Sequence, residues 1–212
     1  PYEAVSYVWG DQDKTEFLYL SSGTFIRITP TLQTTLARVC PYSETGYLWA
    51  DQLCIDQAST TERNHQVALM GRIYSKSQRG LIWLGEDVTY IKENAYLFQN
   101  YSPMGPMLHG SSESNWRFVT CRILMDRILW LPWFSRGWVI QEAVLPTTVV
   151  CLLGPVLISI DLLWKRIVEF NDIRRRYDGT GMSGYRQYKV LREIMRIRRR
   201  RQTLSLIHIS DG

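Results

Sequence analysis

Four carboxylates stand near the ends of strand-like apolar runs: Asp11, Asp51, Asp56 and Glu142. Tryptophans accompany three of them, with Trp9 and Trp49 two residues before Asp11 and Asp51, and Trp138 four residues before Glu142. A carboxylate held against indole rings in a parallel-sheet crevice can orient ribose hydroxyls. It can also stabilise an oxocarbenium-like centre as a glycosidic bond breaks. Indole faces can stack a base or a nicotinamide ring. Plainer readings exist for every one of these residues. Glu142 could cap a helix or pair with Arg136, Asp51 and Asp56 could close local turns, and Trp9, Trp49 and Trp83 could be core. Cys54 has no His near it in sequence, so a catalytic thiol has little support. Glycine-rich phosphate loops, HExxH and GxSxG are absent, and His65, His109 and His208 are scattered, so no metal site is expected.

These groups need elements to position them. Residues 48–50 read as a short buried strand with Asp51, Asp56 and Gln57 at or past its carboxyl end. A helical pattern follows at 62–77, carried by Val67, Met70, Ile73 and Tyr74, and then an apolar run at 80–85. Strand, helix and strand in this compass form a βαβ unit, which builds parallel sheets. Ligands of such sheets bind at the carboxyl ends of the strands. Upstream, residues 2–9 have strand composition, and 17–20 and 25–28 flank Ser21-Ser22-Gly23 as a hairpin. A helix with Leu32, Leu36 and Val39 on one face follows, capped by Thr29 or Thr31 and closed before Pro41. Downstream, residues 102–115 read as an exposed loop and 116–131 as an amphipathic helix. A helix starting at Ser135 would set Trp138 and Glu142 on one face. Residues 147–153 read as a strand, 160–170 as a helix, 171–188 as irregular and 189–201 as a basic helix.

At 212 residues the chain is long enough for one domain plus an extension. Its net charge of +5 is unevenly spread. Residues 1–164 hold 12 basic and 15 acidic side chains, whereas residues 165–201 hold 13 basic and 4 acidic. The basicity therefore belongs to one segment, read as a solvated arginine-rich helix face rather than a nucleic-acid site. Four cysteines without a CxxC pair read as reduced, mostly buried thiols of a cytoplasmic protein. The most apolar stretch, 148–164, is interrupted by Gly154, Pro155 and Asp161, so no membrane span is expected.

Three blocks are distinctive together: residues 2–11 (YEAVSYVWGD); residues 48–57 (LWADQLCIDQ) with 62–67 (ERNHQV) and 70–74 (MGRIY); and residues 133–143 (WFSRGWVIQEA). In order and spacing they resemble the fungal heterokaryon-incompatibility (HET) domain. The usual second block reads Trp-Ile-Asp-Ala-Leu-Cys-Ile-Asn-Gln, and here Ala50, Gln52 and Asp56 depart from it. The resemblance implies a part in fungal non-self recognition and programmed cell death. It also implies an α/β fold with a TIR- or flavodoxin-like parallel sheet flanked by helices, a hairpin insertion and a helical C-terminal extension. The domain would cover 1–155, and 156–212 would be a basic extension cut short. Some TIR domains cleave NAD with a glutamate on the helix after the third strand, and Glu142 matches that position. On this reading Glu142 is catalytic, and Tyr7, Trp9, Gly10, Asp11, Asp51, Cys54, Asp56, Gln57, Arg136 and Trp138 line the substrate site. NAD is then a substrate, with no bound cofactor or metal. The competing expectation is a non-enzymatic module that associates with itself or with other death-signalling domains.

Overall fold

The computed structural model of the protein describes residues 1–86, 112–179, 181 and 185–210. The chain forms two units: Pro1–Leu84 with Gln141–Leu152, and Gly85–Ile140 with Leu153–Gly212.

The first unit is built on a mostly parallel sheet. Its strands are β1 (Glu3–Ser6), β4 (Leu48–Trp49), β5 (Arg79–Gly85) and β6 (Thr148–Leu153), in the order β4-β1-β5-β6. β1 runs parallel to both neighbours, with Glu3 opposite Leu48 and Arg79, and Ser6 opposite Ile82. Consecutive strand residues point to opposite faces, and two cores follow from that alternation. Val5, Leu81 and Trp83 pack with Leu32 and Val39 of α1 (Pro30–Val39). Ala4 packs on the other face with Met70 and Tyr74 of α3 (Thr60–Lys76). The sheet is therefore flanked by helices, as the fold class expected.

Local signals explain most of the element ends. Thr29 caps α1, its hydroxyl accepting from the Leu32 amide, and Pro30 occupies the first turn, where its missing N–H costs nothing. Ser59, rather than Thr60 or Thr61, caps α3. The hairpin forms as β2 (Glu16–Tyr19) against β3 (Phe25–Ile28), antiparallel. Strand β1 is shorter than residues 2–9. Ala50 is still extended after β4, and the chain then turns at once into α2 (Asp51–Cys54).

The second unit contains α4 (Ser112–Leu129), a 3-10 turn at Pro132–Ser135, β7 (Val156–Ser159), α6 (Ile160–Asp178) and α7 (Arg186–Ser210). Between 3-10 turn and β6 lies the short helix α5 (Val139–Val144). The loop read at 102–115 falls outside the described residues as far as 111, and its last four residues are helical. Residues 171–178, read as irregular, continue α6 until Gly179 ends it with φ +67. Their apolar spacing persists through Ile173, which is buried. The basic segment is also less solvated than its composition suggests. Arg174 and Arg198 are 7% and 3% exposed, and they pair with Asp126 (3.1 Å) and Asp161 (3.7 Å). Part of the positive charge thus ties α6 to α4 and α7 to α6. No helix among the described residues is long and apolar enough to cross a membrane.

Candidate functional site

The residues at and after the carboxyl end of β1 hold two of the carboxylates singled out by type and spacing, Glu142 and Asp51. Ser6 is the last residue of that strand and points to the α3 face. Its hydroxyl donates a hydrogen bond to Oε2 of Glu142, from α5. Both side chains are buried, Glu142 with 1% of its surface exposed. Tyr7, next in the chain, is also buried and belongs to the α1-side core.

Three residues past Ser6, the half-buried Trp9 donates its indole N–H to both carboxylate oxygens of Asp51, at 3.0 and 2.9 Å. Asp51 begins α2 directly after β4, so its carboxylate stands at the carboxyl end of a second parallel strand. Oδ1 also accepts the Gln52 amide (2.8 Å), and the Gln57 amide donates to the Asp51 carbonyl (2.9 Å). The next residue after Trp9, Gly10, has φ +66, and a Cβ there would lie 2.5 Å from Thr31 Oγ1. Only glycine lets this loop lie against the first turn of α1. The segment 6–10 thereby connects two carboxylates that are 91 positions apart in the sequence.

Other candidates serve their own loops. Asp11 is exposed and accepts from the Asp13 amide (3.2 Å). Asp56 is exposed and accepts from the Ala58 amide (2.9 Å), while the Asp56 amide donates to Glu62 Oε1 (3.0 Å). These contacts form an Asx turn leading into α3. Cys54 is exposed at the end of α2, and Cys40 is exposed too, so only Cys151 of the described cysteines is a buried thiol. The expectation of mostly buried thiols fails because Cys40 and Cys54 sit at helix ends, where packing is one-sided.

Arg136 and Trp138 belong to the second unit. The expected helix from Ser135 does not form. Pro132 opens a 3-10 turn instead, Arg136 is extended, and α5 begins only at Val139. Trp138, 43% exposed, therefore precedes the helix, and no shared helical face sets it beside Glu142. Ser6 joins these residues although it belongs to no chemical motif. The signal was there, since a hydroxyl between Ala4-Val5 and Tyr7 sits at a strand position that faces the core. Among the described residues no group of three or more His, Cys, Asp or Glu could hold a metal ion.

Residues 2–142 match the model of the family described as heterokaryon incompatibility protein (HET). The chain belongs to the HET family. It is 36% identical over 102 residues to heterokaryon incompatibility protein 6, OR allele, of Neurospora crassa, which covers 41% of this chain and 15% of that protein. It is 27% identical over 154 residues to vegetative incompatibility protein HET-E-1 of Podospora anserina, covering 70% of this chain and 9% of that protein. The HET chain thus spans only a small part of the length of either relative. No solved structure matches it. The matched stretch takes in β1 with Ser6, the Trp9–Asp51 pair and, as its last residue, Glu142.

Proposed function

We propose that this HET chain acts in heterokaryon incompatibility by hydrolysing NAD at the bond between nicotinamide and ribose. One observation carries the reading: the two carboxylates Glu142 and Asp51 are both tethered to residues 6–9 at the carboxyl end of β1, which runs parallel to both its neighbours. Open α/β sheets bind ligands at that edge. The chemistry suits the groups. As the glycosidic bond breaks, its electron pair leaves with the nicotinamide nitrogen and positive charge develops on the ribose. The Glu142 carboxylate, fixed by Ser6, would stabilise that charge. Water then adds to the ribose and releases one proton, giving ADP-ribose and free nicotinamide. Asp51, clasped by Trp9, would hold ribose hydroxyls. Glu142 is covered in this structure, so the reading requires the surface over it to open when NAD enters.

Nicotinamide release by the purified chain tests the proposal, with Glu142→Gln alongside. The glutamine keeps an acceptor for Ser6 but loses the charge. Release by the parent and not by the variant supports the reading, and equal release by both overturns the role of Glu142. A second reading, a non-enzymatic module working by self-association, is favoured by the solvent-facing aromatic hairpin described next.

A further inference from the structure

We propose that the outer edge of β3 is a self-association surface, where a second copy of this chain adds its own β3 antiparallel about a two-fold axis beside Ile26. The inference is independent of NAD cleavage.

The ladder of the hairpin decides which groups face outward. In the turn, the Leu20 amide donates to the Thr24 carbonyl (2.8 Å), so residues 20 and 24 are a hydrogen-bonded pair. Such pairs alternate along an antiparallel ladder. With Leu18 opposite Ile26 and Glu16 opposite Ile28, those two pairs are bonded as well. The N–H and C=O groups of Phe25 and Arg27 therefore point away from β2. Among the described residues the small sheet contains only β2 and β3, and those outward groups meet no partner.

The side chains repeat the invitation. Phe17, Tyr19, Phe25 and Arg27 share one face, with Phe17, Tyr19 and Phe25 exposed by 40%, 75% and 53%. Phe25 packs edge-on against Phe17 at 5.0 Å, and the Arg27 guanidinium lies 5.6 Å from the Phe17 ring centre. Ile26, on the opposite face, is still 41% exposed, so the β3 edge is open on both sides. An exposed edge strand with apolar side chains and no proline is a template for further pairing.

The pattern is complementary to itself, which selects the occupant. A two-fold axis beside Ile26 sets Phe25 of each copy opposite Arg27 of the other, and Ile26 opposite Ile26. Phe25 and Arg27 are the residues whose backbone groups point outward, so this register forms four interchain hydrogen bonds. It also gives two cation–π pairs on the exposed face. The contact is small, and the dimer is accordingly weak and dependent on concentration.

Sedimentation velocity of the full chain, from low to high micromolar concentration, tests this. The parent should shift from monomer to dimer. Phe25→Arg sets guanidinium opposite guanidinium at both paired positions, and should weaken the dimer at least about tenfold, roughly 1.4 kcal/mol. The double variant Phe25→Arg/Arg27→Phe restores complementarity with the roles exchanged and should dimerise like the parent. Arg27→Pro removes an outward N–H without touching the inner ladder and should also abolish dimers, so it carries the test if Phe25→Arg does not fold. A parent that stays monomeric throughout, or folded single variants that dimerise as the parent does, would overturn the proposal.

Discussion

Two buried glutamates bracket strand β1. At its start, Glu3 is fully buried. Its Oε2 accepts from the Ser43 hydroxyl, the Glu44 and Thr45 amides and the Thr45 hydroxyl, and its Oε1 accepts from Arg79 Nε at 2.6 Å. Arg79 also reaches Glu44 and the Tyr42 carbonyl. At the end of the strand, three residues later, Glu142 is held by Ser6. Burial does not distinguish the two; their place along the strand and their partners do. Glu3 stands at the amino end, and its donors come from the 42–45 loop and β5. It ties that loop to the sheet and sets β4 in register. Glu142 stands at the end where parallel sheets take ligands, and residues 6–10 connect it to a second carboxylate.

The largest expected effect is on turnover. Glu142→Gln should lower nicotinamide release by at least about a hundredfold, the scale of losing one electrostatic contact to developing charge, while the melting temperature stays near that of the parent. Glu3→Gln should do the reverse. An amide nitrogen would face Arg79, and breaking a buried ion pair this way costs about 3 kcal/mol. Thermal denaturation should show that loss, with turnover per folded molecule unchanged. If Glu3→Gln abolishes turnover in folded protein, the division between the two ends collapses.

Acid should act at the amino end. Burial pushes the Glu3 carboxyl up, but the hydrogen bonds from Ser43, Arg79 and Thr45 and the Arg79 charge outweigh it and hold it below the ordinary value of 4.5. A depressed folded value means that this stabilisation is complete above the unfolded value and is lost as pH falls through the folded one. Melting temperature should therefore drop below about pH 4.5 in the parent, and this part of the drop should be missing in Glu3→Gln. The smallest effect expected is that of Trp9→Phe. It removes the indole N–H from Asp51 and should cost about 1 kcal/mol of stability. If Asp51 holds the ribose, KM should rise with kcat little changed.

The sequence shows these two ends unequally. The βαβ pattern from Leu48 to Gly85, the hairpin and an α1 cap at Thr29 or Thr31 are local, written in apolar period and turn residues, and the fold follows them, with Thr29 as the cap. Asp51 after a short strand is legible for the same reason, as is Trp9. The Ser6–Glu142 bond spans 136 positions and depends on which face Ser6 takes, so periodicity does not reveal it. Ser135 looks like a helix cap, but Pro132 and the extended Arg136 delay the start of α5 to Val139. Glu3 carries no signal in the sequence, since a charged residue at a strand start reads as solvated until its donors, 40 to 76 positions away, are in place.

The most direct test of the division is nicotinamide release measured on the parent, Glu142→Gln and Glu3→Gln together, each with its melting curve. The expected result is release by the parent and by folded Glu3→Gln, at least about a hundredfold less by Glu142→Gln, and a lowered melting temperature for Glu3→Gln alone. No release from a folded parent, or equal release from Glu142→Gln, would contradict it.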